Sequence, residues 1–256
     1  MNVRTPCVLV GAFLLCLPLS LAHAQAANLL VLAGSGTVHD IANAISRGAD
    51  VNAMGNDNWT PLMAAAQANP DAAVITLLVS KGARVDAVDD WRHETALMIA
   101  AQFNSNPEVI RALVKAGADL KSADKSGETA LGYAARYAQN VEVVRALLKA
   151  GASLEVSDSD GQTALMIAAQ YNKNCDVISA LLGAGAKLKA RDTKGSTSLI
   201  LAAKQSQVPE VIIRLLKAGA DAKAKNKLGD TALEYALYNP SLKGTEALAL
   251  LKTASQ

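Results

Sequence analysis

Asp124-Lys125-Ser126-Gly127-Glu128-Thr129-Ala130-Leu131 and Asp158-Ser159-Asp160-Gly161-Gln162-Thr163-Ala164-Leu165 are two copies of one pattern, an Asp-x-x-Gly turn running into Thr-Ala-Leu. Outward from these copies the pattern continues both ways. A Thr followed by a small residue and Leu stands at Thr60, Thr95, Thr129, Thr163, Thr197 and Thr231. Gly-Ala pairs begin at Gly48, Gly82, Gly117, Gly151, Gly185 and Gly219, with spacings of 34, 35, 34, 34 and 34. Six copies in register are an internal repeat, and a repeat of this length marks a stacked array.

Each unit follows from local chemistry. Thr opens a short helix because its hydroxyl caps the free amides of the first turn. Leu and paired alanines such as Ala100-Ala101 and Ala168-Ala169 make a packed face that lets neighbouring helices approach closely. Asn69, Asn104 and Asn172 are expected to end this helix in the left-handed conformation that Asn tolerates. Asp71, Asn106, Asn140 and Asn174 suit the cap of a second helix, and Pro107-Glu108 suits a first turn. Val109, Ile110, Leu113 and Val114 recur at helical spacing. Gly117-Ala118 then stops the helix, since Gly enters the left-handed region without strain.

Helix, loop, helix, Gly-Ala stop and Asp-x-x-Gly-x-Thr-Ala-Leu hairpin together resemble the ankyrin repeat. The resemblance implies an all-α solenoid of about seven helix-loop-helix units joined by β-hairpin turns. An N-terminal cap repeat is expected over 25–54, five full repeats over 55–225 and a C-terminal cap repeat over 226–256. The first cap lacks the Thr-Leu motif and has two apolar segments broken at Gly34–Gly36; the last is expected to end in an irregular helix at Gly244–Leu251. Two features depart from the family. The period is 34 where about 33 is usual, and the added residue is assigned to the interhelix loop, as in Gln102–Pro107. The family's His after the Leu is missing, with Met63, Met98, Gly132, Met166, Ile200 and Glu234 in its place. That leaves the detailed hairpin geometry open.

The first 24 residues have the three parts of a secretory signal peptide. Arg4 supplies the positive charge, Cys7 to Leu21 the apolar run, and Ala22-His23-Ala24 the small residues of a cleavage site. The run is short for a membrane span, and Leu14-Leu15 before Cys16 is unlike a lipoprotein site. Cleavage after Ala24 leaves 24 basic and 23 acidic residues and a single cysteine, Cys175, so no intramolecular disulfide can form. The neighbouring Asp176 disfavours a thiolate there. No basic tract is visible, which argues against nucleic acid as partner.

Function is sought where the resemblance places binding, on hairpin tips and on the concave face of the first helices. The hairpin from Gly82 to Thr95 is one residue longer than the others and carries Trp91, Arg92 and His93, with His93 standing where later hairpins have Gly. The preceding hairpin carries Trp59. Trp and Arg are frequent binding hot spots, although both rings could instead seal the stack. Phe103, Tyr137 and Tyr171 each follow their Thr by eight residues and are expected to form a ladder. Ala64, Ile99, Tyr133, Ile167, Leu201 and Tyr235, four residues after Thr, are placed on a groove floor, with Gln67, Gln102, Arg136, Gln170 and Lys204 along its edge. These residues suit a protein surface or simply fill space between repeats. No catalytic constellation is found. His39 and His93 lie in different repeats, no zinc-ligand spacing or nucleophile elbow occurs, and Gly34-Ser35-Gly36 reads as an interhelix turn. No cofactor or metal is expected.

The reading is a monomeric, non-enzymatic protein-binding scaffold, exported to the periplasm and not inserted in the membrane after cleavage. By resemblance it would support an exported enzyme, including one in oxidative-stress defence, or act as an immunity protein against a periplasm-delivered toxin. The aromatic row keeps a cell-wall or small-molecule binder open, and a host-targeted effector is a further alternative.

Overall fold

The computed structural model describes residues 29–256. The expected signal peptide, residues 1–24, lies outside the described residues. The described chain is a stack of helix pairs: α1 (29–35) with α2 (Val38–Ser46), α3 (Pro61–Ala68) with α4 (Ala72–Ser80), and α5 (Ala96–Phe103) with α6 (Pro107–Lys115). They continue as α7 (Ala130–Tyr137) with α8 (Val141–Lys149), α9 (Ala164–Tyr171) with α10 (Cys175–Gly183), α11 (Ser198–Gln205) with α12 (Pro209–Lys217), and α13 (Ala232–Tyr238) with α14 (Glu246–Ala254). Odd-numbered helices from α3 pack on one another as an inner layer, and even-numbered helices form the outer layer. One apolar core runs the length of the stack between the layers.

The helix starts follow the caps. Thr60, Thr95, Thr129, Thr197 and Thr231 each accept a hydrogen bond from the amide three residues on; Thr163 makes no such bond. Asp71, Asn106, Asn140 and Asn174 cap the outer helices through the amide two residues on. Gly117 takes φ +93 and donates to Val114 O, while the Ala118 amide reaches Leu113 O at 3.1 Å. That paired closure satisfies carbonyls left free at the end of α6.

Asn69, Asn104 and Asn172 are not left-handed. Their backbones are extended, with φ between −95 and −79 and ψ between 121 and 132. Their work is between repeats. Asn104 Nδ2 donates to Ala66 O and Asn69 O of the preceding unit, and its Oδ1 accepts the Asn106 amide. Asn69, Asn172 and Asn239 make the same three bonds, each reaching back to its own preceding unit. Carbonyls at the end of an inner helix have no partner in their own helix, and the next repeat's amide supplies one. A second row runs beside it, with Asn106, Asn140 and Asn174 donating to Pro70 O, Ser105 O and Gln139 O.

The hairpins close on isolated antiparallel bridges, Val88 with Thr95, Ala123 with Thr129 and Ser157 with Thr163. The tip geometry left open by the missing His is set by the leading carboxylate. Asp124 Oδ1 accepts the Ser126 and Glu128 amides, both at 2.8 Å, and Asp192 Oδ1 accepts those of Lys194 and Ser196. Adjacent tips are laced by backbone bonds, such as Lys125 N to Arg92 O and Lys227 N to Lys194 O, both 2.9 Å.

In the longer hairpin the Asp89 amide reaches Glu94 O, where the regular closure joins Asp124 to Glu128, so the extra residue lies within the tip. His93 there has φ +61, against +79 for Gly127. A β-carbon makes the left-handed region costly, so His93→Gly is expected to raise stability by about 0.5–1 kcal/mol, read as a higher urea midpoint with an unchanged slope.

The ends differ from expectation in detail. Helix α1 continues through Gly34, and the break falls at Gly36-Thr37, where Thr37 and Asp40 form a capping box. The expected irregular C-terminal helix is a regular nine-residue α14, capped by Thr245 and preceded by a tight turn over Pro240–Leu242.

Candidate protein-binding face

The tips of the first two hairpins frame a notch of about 310 Å3 lined by Leu30, Gly55, Asn56, Asp57, Trp59, Asp89 and Trp91. The two tryptophans are unlike. Trp59 is half-buried and packs on the core, whereas Trp91 is 75% exposed. The Arg92 guanidinium lies 5.9 Å from the centre of the Trp91 ring and 5.6 Å from that of Tyr133. His93 is exposed at the tip, its amide bonded to Asp89 Oδ1.

Tyr133 corrects the groove-floor assignment: it is fully buried and cannot touch a partner. Its hydroxyl lies between Glu94 Oε1 and Asp124 Oδ2, the latter at 2.9 Å, and both carboxylates are buried. Arg92 faces the same pair, 3.4 Å from Glu94 and 3.8 Å from Asp124. Burial first, and then the two carboxylates, push the phenol's pKa far up, so it stays protonated as a donor. Desolvation raises Asp124, but Ser126, the Glu128 amide and Tyr133 outweigh it and hold the carboxyl below its usual range. Tyr133 thus ties the second and third hairpins to α7. Ile99, Ile167 and Leu201 at the same repeat position are also buried.

The accessible ring edge lies one turn further on, at the C-terminal ends of the inner helices. Phe103, Tyr137 and Tyr171 are 53, 40 and 45% exposed. Among the described residues these three rings do not stack on each other. A guanidinium joins two of them, Arg136 lying 4.4 Å from the Tyr171 centroid and 5.9 Å from that of Tyr137. Arg136 is itself held by both oxygens of buried Glu128, at 3.1 Å each. The bare α-carbon of Gly132 makes room, since a β-carbon there would meet Glu128 Cγ at 2.7 Å. Burial raises the Glu128 pKa against the pull of Arg136; desolvation of Arg136 is outweighed by Glu128, and its pKa rises. Beyond Tyr171 the edge opens into a depression of about 460 Å3 lined by Gln170, Tyr171, Lys173, Gln205 and Gln207 among others.

Two-helix units stacked in register, left-handed Gly stops and laced hairpins agree with the family comparison. The family model described as ankyrin repeats, in three copies, matches residues 26–124, 106–192 and 165–255. The chain belongs to the ankyrin-repeat family. No curated protein matches the chain.

Ankyrin repeats serve as protein-interaction scaffolds and are generally non-enzymatic. In this ankyrin array one edge residue escapes counting from the Thr. Tyr238 lies seven residues after Thr231, but it immediately precedes Asn239, as Phe103 precedes Asn104 and Tyr171 precedes Asn172. Helix α13 is one residue shorter than the other inner helices from α3 on. Counting back from the Asn places Tyr238, 89% exposed, on the aromatic edge.

The remaining candidates are accounted for by local bonds. His39 is exposed and pairs with Asn43 at 2.9 Å. Asp89 caps its own tip and Asp90 accepts from Asn58. Among the described residues no group of three or more His, Cys, Asp and Glu could hold a metal ion, and no helix is long and apolar enough to cross a membrane. Burial pushes the Cys175 thiol up, against the pull of Arg214, so it is held as the unreactive thiol.

Proposed function

We propose that this ankyrin array is a monomeric, non-enzymatic scaffold of the bacterial periplasm that grips a partner protein along the edge formed by Phe103, Tyr137, Arg136 and Tyr171. The observation that carries this reading is the preorganised edge. Half-exposed rings are locked by a guanidinium that is itself fixed on a buried carboxylate. Tyr and Arg bring large contact area, and a side chain held before binding loses little entropy on contact. Exposed Trp91 and Arg92 would extend the contact onto the hairpin tips. The leader-like residues 1–24 support the periplasmic assignment. A client enzyme of stress defence and a delivered toxin both fit such a scaffold.

The test is capture from periplasmic extract with the wild type, a Phe103→Ala, Tyr137→Ala, Tyr171→Ala variant and a Trp91→Ala variant, each checked for helix content by circular dichroism. A protein held by the wild type is expected to be lost by the triple variant, with a smaller loss for Trp91→Ala. Equal retention by the triple variant would remove the edge from the account. A row of rings also suits stacking on sugars. Quenching of tyrosine fluorescence by peptidoglycan fragments, without a captured protein, would favour a cell-wall binder.

A further inference from the structure

Two rows of asparagine bonds lace each repeat to the one before it, and at one joint both rows stop. In the first row Asn104, Asn172 and Asn239 reach back to carbonyls of the preceding unit, and Ser206 stands in that position in its own repeat. In the second row Asn106, Asn140 and Asn174 do the same, and Val208 stands in their place. Every other joint between the described units keeps at least one donor. Asn140 serves the repeat of Ala138, Asn69 that of Asp71 and Asn239 that of Ser241. Ser206 takes over only the acceptor's part: its Oγ accepts the Val208 amide at 3.2 Å, and its proton turns to Val208 O of its own loop. By repeat register the carbonyls that lose their donor are Ala169 O, Asn172 O and Lys173 O. Among the described residues none of these three accepts a hydrogen bond from another residue.

The depression of about 460 Å3 beyond Tyr171 opens at this joint. Ser206 and Val208 of one repeat and Asn172 and Lys173 of the repeat before it all line it, so the place of the missing donors lies within it. Its wall is short of donors elsewhere too. Gln170 is buried, where Gln67 and Gln102 at the same repeat position are half-buried. Its Nε2 donates to Gln205 Oε1 and to the Tyr171 hydroxyl, the latter at 2.8 Å, and its Oε1 is buried without a partner. Buried polar atoms are normally paired, so an orphaned acceptor marks an incomplete wall. Gln205 and Gln207 are exposed at the rim.

We infer that this depression receives a carboxamide side chain, Asn or Gln, of the partner protein, whose amino group takes the place that the array's own asparagine holds at the other joints. The inference rests on the scaffold reading and names the chemistry of what is bound. A carboxamide carries two donors and an acceptor on one planar group. Its N–H groups suit Asn172 O and Lys173 O, and its oxygen suits the side-chain amides of Gln205 and Gln207. A carboxylate has no N–H to give. An ammonium or guanidinium would meet the charge of Lys173 and find no carboxylate lining the depression. Tyr171 belongs to both the aromatic edge and this wall, so a segment held along the edge brings its side chains here.

The probes are the acetylated and amidated peptides Gly-Asn-Gly, Gly-Asp-Gly and Gly-Leu-Gly, and N-acetylglucosamine. Each is titrated to millimolar concentration into isotope-labelled protein, and NMR follows the side-chain amide signals of Gln170, Gln205 and Gln207. The wild type is compared with Ser206→Asn, with the double variant Ser206→Asn, Val208→Asn, and with Ala138→Asn, each checked for helix content by circular dichroism. The first two supply the missing donors from the chain itself, and the last supplies one at a different joint. The Asn peptide is expected to shift these signals and to bind the wild type about ten-fold more tightly than the Asp or Leu peptide. The double variant should lose that preference and Ala138→Asn should keep it; Ser206→Asn alone decides the point if the double variant does not fold. Equal binding of the three peptides, or no shift of these signals, would overturn the inference, while capture along the aromatic edge would still stand. So would a preference that survives in the filled variants. Tighter binding of N-acetylglucosamine than of the Asn peptide would give the depression to the acetamido group of a glycan and overturn the protein occupant.

Discussion

Replacing Arg136 by Met is expected to lower stability by about 3 kcal/mol, the largest loss from any single side chain on the edge. Glu128 is buried, and Arg136 supplies its paired bonds at 3.1 Å. Without the guanidinium the carboxylate stays buried with no countercharge, because the pocket over Gly132 holds it in place. Removing one partner of a buried pair costs more than removing both. Glu128→Gln with Arg136→Met should therefore recover most of the loss. Urea midpoints for the two single variants and the double variant measure the coupling. A single variant within about 0.5 kcal/mol of wild type would show the pair to behave as an ordinary surface bridge.

The pH dependence gives a second reading of the same pair. The folded-state pKa of Glu128 is raised, mainly by burial and against the pull of Arg136. For a carboxyl raised on folding, the stabilising contribution is complete below the unfolded-state pKa and is lost as pH rises through the folded value. Removing Arg136 raises the folded value further, so the loss grows. The Arg136→Met deficit should then be small near about pH 4 and full near about pH 7.

Legibility in the sequence follows how local each signal is. The Thr and Gly positions define the repeat because each acts on its own backbone: the Thr hydroxyl caps amides three residues away, and Gly117 takes a φ that a β-carbon resists. Other features depend on a neighbouring repeat. Asn104 reads as a helix stop until the carbonyls of Ala66 and Asn69 stand opposite it. Tyr133 shares its repeat position with Ile99 and Ile167 and reads as one more floor residue. Its burial depends on Glu94, contributed by another hairpin 39 positions away. Tyr238 was hidden by a shorter helix. The edge residues Phe103, Tyr137 and Tyr171 could be picked out because equivalent positions stack. Their joining by Arg136 could not, since it needs the fixed geometry of Glu128.

The inter-repeat asparagine makes the most demanding prediction about the stack itself. Asn104→Ala leaves two buried carbonyls and one amide without their bonds, an expected loss of about 2–4 kcal/mol. Ala138 and Ser206 stand where the other repeats have this asparagine, and the reverse change can be made at Ala138. Ala138 occupies the asparagine position of its repeat, with the same extended backbone at φ −62 and ψ 120. Beside it lies a half-open cleft of about 70 Å3 lined by Ala101, Asn104, Ala138, Asn140 and Val143 among others. Repeat register puts Ala101 O and Asn104 O in reach of a side-chain amide at 138, and the Asn140 amide in reach of its oxygen. Ala138→Asn should therefore occupy this space, join Asn104 to Asn172 in one row and stabilise by about 1 kcal/mol, raising Tm by roughly 2–4 °C. The gain should vanish when Asn104→Ala is also present if the two side chains act through one connected row, and should add independently if each closes only its own interface. A denaturant series on the four combinations distinguishes the two. A destabilised Ala138→Asn would mean that the apolar contact of Ala138 outweighs the bonds an asparagine could make there.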